Sequence, residues 1–335
     1  MAAPHTPHTP PATSAQQLLL LDTHQVTALL QPHAVLAAVR EAFTLHSQRA
    51  GRVFPVVREA LPTGGVFGIK AGDVSSQGLL GFKAAGFWPA NRARGSEPHQ
   101  ATVLLIDPAT GRPLCVLDGN AITTERTGAA GALGLQQLAR PNSKRLCIFG
   151  TGVQARAQLR YALSALPALR TVHYATHNGQ RAPAFEMAFA DRCDIEQACD
   201  VNAAVAASDV VITATPGGGP LFHADAVQPG THINAVGTDT QGKRELPEGL
   251  LQRTRLFVDD ATQTRQIGEA QWAPSELPFT ELGDLLTGQA AMQRSADDIT
   301  VFDMTGLALQ DLTVARMLHT QAMAQGLGTR IDWPW

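Results

Sequence analysis

Leu146-Cys147-Ile148-Phe149-Gly150-Thr151-Gly152-Val153-Gln154-Ala155 decides how the chain is read. A short apolar run of strand type leads into glycines, and a helical pattern follows from Val153 to Leu166. The spacing is G-x-G-x-x-A, placed between a strand and a helix. Gly150 allows the tight turn, Gly152 lets a pyrophosphate approach the backbone, and Ala155 permits close helix–strand packing. The helix N-terminus then offers unpaired N–H groups to an anion, with Thr151, Val153 and Gln154 around it. This is the signature of a Rossmann-type dinucleotide site.

Strand and helix patterns alternate outward from that turn. Strands are expected at Thr171–Ala175, Val210–Thr215, Ile233–Gly237, Leu256–Asp259 and Ile299–Phe302, with a helix at Ala182–Cys193. Such alternation implies a doubly wound parallel sheet of the α/β class. Upstream the rhythm differs. A strand at Leu18–Leu21, helices at His24–Leu30 and Pro32–Gln48, and strands at Val53–Arg58, Gly65–Ala71, Leu79–Phe87 and Thr102–Asp107 describe a β-rich α+β region. Asp107-Pro108-Ala109-Thr110-Gly111 turns the chain into Leu114–Leu117. A Gly/Ala-rich helix at Ile122–Ala139 follows, whose small side chains allow another backbone to approach closely. The organisation read from this is a disordered tail (1–15), a substrate-binding and dimerisation domain (16–130, completed by a C-terminal helix, 307–335) and a Rossmann NAD(P)-binding domain (131–306).

Composition narrows the function classes. At 335 residues and 44% hydrophobic content, two domains can each bury a core. The net charge of −3, from 26 Lys+Arg against 29 Asp+Glu, leaves no basic footprint for a nucleic acid. Cys115, Cys147, Cys193 and Cys199 form no C-x-x-C and suit reduced thiols; no metal site is expected. No apolar stretch reaches ~18 residues, so no membrane helix is expected. The Pro-, Thr- and His-rich start lacks the features of a signal peptide. A soluble cytoplasmic protein is the expectation.

The strand after the glycine turn bears on the choice between NAD and NADP. It ends Tyr174-Ala175-Thr176-His177-Asn178, with no carboxylate for the ribose hydroxyls. Thr176, His177 and Arg181 offer partners for a 2′-phosphate, although Asn178-Gly179 is equally a plain turn. Thr215-Pro216-Gly217-Gly218-Gly219 is a second loop expected beside the cofactor.

Several further motifs occur in a fixed order. They are Gly81-Phe82-Lys83, His99-Gln100, Thr123-Thr124-Glu125-Arg126-Thr127, Gly237-Thr238-Asp239 with Gly242-Lys243, Glu281-Leu282-Gly283-Asp284, and Thr305-Gly306-Leu307-Ala308-Leu309-Gln310-Asp311. In that order the chain resembles the ornithine cyclodeaminase/μ-crystallin family. The resemblance implies a homodimer whose β-rich domain forms the substrate site. It also implies that Arg58, Lys83 and Arg126 hold a substrate α-carboxylate and that Asp239 stands beside the nicotinamide. Thr127, Gly237 and the loop at Gly306 are implied to line the cofactor. The segments 54–60, 84–89, 237–243 and 267–271 resemble the family's iminosuccinate reductase branch.

Elementary chemistry agrees with these roles. Three cations in one cleft suit a carboxylate, and an arginine can grip it bidentately. A helix beginning near Thr124 would add a favourable dipole. A carboxyl group at Asp239, past the end of a parallel strand, can relay a proton to a substrate nitrogen, which makes Asp239 and Lys83 the catalytic candidates. Lys243 and Glu245 are expected to brace the Asp239 loop. Where ornithine-cyclising members carry an acid, this chain has Lys70, which repels a distal ammonium and attracts a second carboxylate. Taken singly, Arg126 is equally a surface residue, Asp239 a turn residue and Lys70 a solvated strand residue. The expected reaction is NAD(P)H-dependent reduction of an α-imino acid, iminosuccinate to L-aspartate foremost. Ornithine cyclodeamination, pyrroline-2-carboxylate reduction and a μ-crystallin-like binding role remain the alternatives.

Overall fold

A computed structural model describes residues 17–333; the expected tail at 1–15 lies outside them. Along the first lobe run β1 (Gln17–Leu21), α1 (Thr23–Leu29), α2 (Pro32–Ser47), β2 (Arg52–Val53), β3 (Val57–Ala60), β4 (Val66–Val74), β5 (Leu79–Phe87), β6 (His99–Ile106) and β7 (Pro113–Asp118). Asp22 caps α1 in a reciprocal box with Gln25. The single strand expected over Val53–Arg58 is broken in two, because Pro55 has no N–H for a ladder.

Helix α3 (Gly119–Leu138) then passes between the lobes, buried along most of its length. Its small residues do what their size suggests: Gly128 lies against the Tyr161 ring and Gly131 against the Gln158 side chain. It begins earlier than expected, with Asp118 capping the N–H groups of Asn120 and Ala121. Thr124 and Arg126 are therefore inside the helix, and the dipole expected for a substrate at Thr124 is already satisfied by Asp118.

The second lobe holds β8 (Arg145–Phe149), α4 (Val153–Ala165), β9 (Thr171–Ala175), α5 (Pro183–Met187), β10 (Asp194–Gln197), α6 (Val201–Ala206), β11 (Val210–Thr213), β12 (His232–Ala235), β13 (Arg255–Val258), α7 (Ala261–Ile267), β14 (Phe279–Glu281), α8 (Leu282–Thr287) and β15 (Thr300–Asp303). All its strand pairs are parallel, in the order β10-β9-β8-β11-β12-β15-β13-β14. The direction of winding reverses between β8 and β11, where such sheets bind ligands. The helix expected at Ala182–Cys193 stops at Met187, since three-residue turns then fold Phe189 back onto Phe185 before β10.

The chain returns through α9 (Ala308–Gln325) and ends in β16 (Thr329–Asp332). The final helix agrees with the apolar pattern of Leu307–Gln325, but Thr329–Asp332, within the 307–335 span assigned to a C-terminal helix, is a strand antiparallel to β1; Gly326 ends α9 in the left-handed region. The first sheet runs β16-β1-β7-β6-β5-β4-β2, with β3 also on β4. Helix α9 packs on it where Gly72 faces Leu309 and Gly81 faces Leu312. The opposite face carries Phe67, Ile69, Phe82, Leu104 and Val116, apolar yet only half-buried.

Phe302 in β15 joins the lobes, packing on Phe43 of α2 and on α3 at Gly134. Phe302→Ala should cost about 3–5 kcal/mol, read from the urea midpoint at unchanged slope. A change below about 1 kcal/mol would show that this ring is not part of the joint core.

Candidate active site

The cofactor end is built at the reversal of the second sheet. Gly150 adopts φ +101°, and a side chain there would strike the Ala214 carbonyl oxygen at 2.6 Å. Only glycine lets the turn after β8 lie so close to the end of β11. Gly152 begins α4 without a side-chain cap, and nothing lies within 4 Å of where its Cβ would be. A helix N-terminus left open in this way fits a dinucleotide pyrophosphate. Beside it, Gln154 reaches toward the Thr123 carbonyl at 3.5 Å. The Thr127 hydroxyl donates back to the Thr123 carbonyl and the Thr127 carbonyl accepts from Gln158, leaving its methyl and the lone pairs of its hydroxyl as what it can present. At the end of β9, Thr176 donates to the Gln180 carbonyl and His177 is exposed. Arg181 is already engaged by Glu186 (2.5 Å) and is not a free partner for a 2′-phosphate.

Strand register lays out the substrate end. Arg58, Gly68, Ala85 and Ala101 stand side by side on one face of the first sheet, and Lys70, Lys83 and Val103 form the adjacent row. Since side chains alternate across a strand, these point the same way. Gly68, Ala85 and Ala101 make a shallow floor, with Arg58, Lys70 and Lys83 at its margins. Lys83 donates to Thr123 (3.1 Å) and to Asp311 Oδ1 (2.9 Å). Arg126 shares that same oxygen at 3.2 Å and donates to Gln310 (3.1 Å). Lys70 is not a solvated strand residue: its ammonium is buried and donates to the carbonyls of Thr305 (2.6 Å) and Gly306 (2.8 Å). Gly306 has φ +85°, and a side chain there would strike the Arg126 guanidinium. The loop before α9 can therefore lie against the cation cluster only with glycine at this point.

Asp239 faces this cluster from the loop after β12. Its carboxylate accepts from Lys243 (2.7 Å) and from Arg58 (3.1 Å), which also donates to Thr240 (2.6 Å). Desolvation would raise its pKa, but Lys243 and Arg58 outweigh that and hold it well below the usual carboxylate range. Lys243 therefore does more than brace the loop; it pairs with the Asp239 carboxylate. Glu245, fully buried, is the brace, accepting from the N–H and hydroxyl of Thr215 and from Gly237 N–H. Asp259 plays the same part for the other loop, accepting from Thr305 Oγ1 and Gly306 N–H.

Two groups gained roles that the sequence did not assign. Asp311 is the shared partner of Lys83 and Arg126. Its signal was a lone acid inside the apolar run Leu307–Leu312, which a buried helix face tolerates only with a cation opposite. His99 lies on the same sheet face, one register row beyond Ala101, and contacts Asn120 at 3.0 Å. Burial and the nearby charge of Lys83 push its pKa down to about 4, so it is neutral near pH 7.

Burial pushes the Lys83 ammonium down to about 7, with Arg126 and Lys70 acting in the same direction against Asp311. Lys83 is then cationic below that pH and loses its proton above it. Binding of a small carboxylate such as malonate, measured by calorimetry, should weaken as pH rises through about 7, by up to about tenfold per unit. Lys83→Arg, whose charge persists, should flatten the profile. A flat profile in the unsubstituted protein would remove Lys83 from anion binding.

Known proteins are similar to this chain over nearly its whole length. A family model described as the ornithine cyclodeaminase/mu-crystallin family matches residues 16–326. The iminosuccinate reductase of Paracoccus denitrificans (strain Pd 1222) is 33% identical over 321 residues, covering 94% of this chain and 100% of that protein. Its crystal structure with NAD+ superposes at a TM-score of 0.86 with 32% identity, over 94% of this chain and 99% of that one. An archaeal alanine dehydrogenase dimer with bound NAD gives 0.87 at 31% identity, over 94% and 99%. The Delta(1)-pyrroline-2-carboxylate reductase of Thermococcus litoralis, solved with NADH and L-proline, gives 0.87 at 27%, over 93% and 100%. With the family model spanning both lobes and relatives aligned over nearly their whole length, the chain belongs to the ornithine cyclodeaminase/mu-crystallin family.

Proposed function

We propose that the protein is an NAD(P)H-dependent reductase of α-imino acids, with iminosuccinate as substrate and L-aspartate as product. The observation that carries this reading is the cation set of the substrate floor. Arg58, Lys70, Lys83 and Arg126 converge there with Lys243 beside them, five cations against the carboxylates of Asp239, Asp259 and Asp311. Such an excess suits a substrate with two carboxylates. The identity to an iminosuccinate reductase supports the same choice.

In this reading the α-carboxylate rests on Lys83 and Arg126, and the distal carboxylate on Arg58 and the third N–H of Lys70. The bound nicotinamide dinucleotide supplies hydride to the imine carbon. Asp239, kept ionised by Lys243 and Arg58, accepts from the imine N–H and favours the protonated, more electrophilic form. Lys83, whose pKa lies near 7, is the group able to deliver a proton within the cleft. One hydride reaches carbon and one proton reaches nitrogen, giving the amine. Lys70 also ties the floor to the Gly306 loop, so a cofactor resting on that loop would be positioned together with the substrate carboxylates. β9 ends without a carboxylate, which leaves room for the 2′-phosphate of NADPH as well as for NADH.

The half-buried apolar face of the first sheet supports a homodimer, because such a face is stable only when covered. The archaeal neighbour described as a dimer supports the same state. Among the described residues no helix is long and apolar enough to cross a membrane, and a cytoplasmic location is part of the proposal.

Oxidation of NADH and NADPH should be compared with oxaloacetate plus ammonia, pyruvate plus methylamine, and pyrroline-2-carboxylate. The first should give the highest kcat/KM; a preference for the cyclic imine would replace iminosuccinate as the substrate. Lys70→Glu should depress the iminosuccinate reaction far more than that of pyrroline-2-carboxylate, and equal losses would remove the second-carboxylate role. Asp239→Asn should retain cofactor affinity and lose about 100-fold or more in turnover. Undiminished turnover would take Asp239 out of the mechanism.

A further inference from the structure

Away from the cleft, three side chains from three elements meet where the lobes join. His46 is in the last turn of α2, Asp260 caps α7, and Glu281 lies at the end of β14. They are 6%, 8% and 6% exposed, so bulk water is excluded from the group. Each carboxylate is fixed through one oxygen: Asp260 Oδ1 accepts from Thr262 (2.8 Å) and Gln263 (2.6 Å) N–H, and Glu281 Oε1 from Ala261 N–H (3.0 Å). The other oxygens converge on one imidazole nitrogen. His46 Nε2 lies 3.2 Å from Asp260 Oδ2 and 3.5 Å from Glu281 Oε2.

Those contacts are not made as hydrogen bonds. Neither His46 Nε2 nor Glu281 Oε2 has a well-aligned hydrogen-bond partner. The separations match a different geometry. Ligand atoms about 2.0–2.1 Å from a tetrahedral metal stand about 3.3 Å apart. We propose that His46 Nε2, Asp260 Oδ2 and Glu281 Oε2 form a site for a divalent transition metal, zinc by preference, that clamps α2 to the dinucleotide-binding lobe.

The donor set of imidazole and two carboxylates suits zinc, and the backbone bonds to the second oxygens pre-orient the ligands. A proton is the competing occupant. Burial lowers the His46 pKa, but the two carboxylates outweigh it and push it up to about 9, which records their pull on positive charge at this nitrogen. Arg49, 3.7 Å from Glu281 Oε2, has a 70% exposed side chain and can swing aside.

The test uses the full chain, stripped with a chelator and titrated with Co2+ as a spectroscopic probe, then with Zn2+. The expected result is a tetrahedral visible spectrum that Zn2+ abolishes, and a Zn2+-dependent rise in Tm. His46→Asn should bind one equivalent fewer, which separates this site from any binding by His5 and His8 near the N-terminus. Glu281→Gln is nearly isosteric and preserves the acceptor for Ala261 N–H. It carries the test where the histidine variant folds poorly, and should weaken Co2+ binding by about tenfold or more. No tetrahedral spectrum in the unsubstituted protein, or stoichiometry and affinity unchanged in both variants, overturns the site and leaves the group as an ion pair between lobes.

Discussion

The buried Asp311 carboxylate is the constraint on which the rest of the cleft depends. Taking Lys83 and Arg126 out of water costs several kcal/mol each unless an opposite charge meets them. One oxygen of Asp311 meets both, at 2.9 Å and 3.2 Å. The three charges come from β5, α3 and α9, elements remote in sequence. Two cations against one anion leave a net positive charge where a carboxylate would sit. The same helix that brings Asp311 also brings the Gly306 loop onto Lys70, so the cation cluster and that loop share one support.

A second tier of acids lies beneath the strand ends of the other lobe. Glu269 accepts from Thr238, and Asp303 accepts from Thr264 and from Ala270 N–H. Burial raises both, Glu269 to about 7 and Asp303 to about 8. These groups hold loops by accepting N–H and O–H bonds and need little charge to do so. Asp239 is the contrast. It lies a third open to solvent beside two cations and stays ionised. Position relative to the cations, more than residue type, separates the acids that burial raises from the one held ionised.

The parts of the fold that were legible in sequence were those with local causes. Gly150, Gly152 and the apolar strand before them specify a turn through sterics alone, and the parallel strands carry continuous apolar runs. The Gly/Ala content of α3 announced a close helix contact, which Tyr161 and Gln158 supply. What was misread depends on distant partners. The early start of α3 is set by Asp118, the shortness of α5 by Phe189 turning onto Phe185, and the final strand by pairing with β1. Arg58, Lys83, Arg126 and Asp239 do gather in one cleft. Asp311 showed itself only as a lone acid in an apolar run, because nothing in an isolated helix says which cations will lie across from it. Lys70 was read as a charge facing the substrate, while much of its hydrogen bonding goes to the carbonyls beneath the Gly306 loop.

The pairing of β16 with β1 also orders events in time. The first sheet begins with Leu18 opposite Ile331, so the first lobe uses both ends of the described chain. Helix α9, which covers that sheet and supplies Asp311, follows the whole second lobe. During synthesis the dinucleotide-binding lobe has all its strands before the first lobe has its last strand and covering helix. A growing chain therefore carries an open, apolar sheet until α9 and β16 emerge, a state in which exposed strands invite misassembly. Closing the first lobe last means that the gathering of Lys83 and Arg126 around Asp311 waits for α9, which follows every strand of the second lobe.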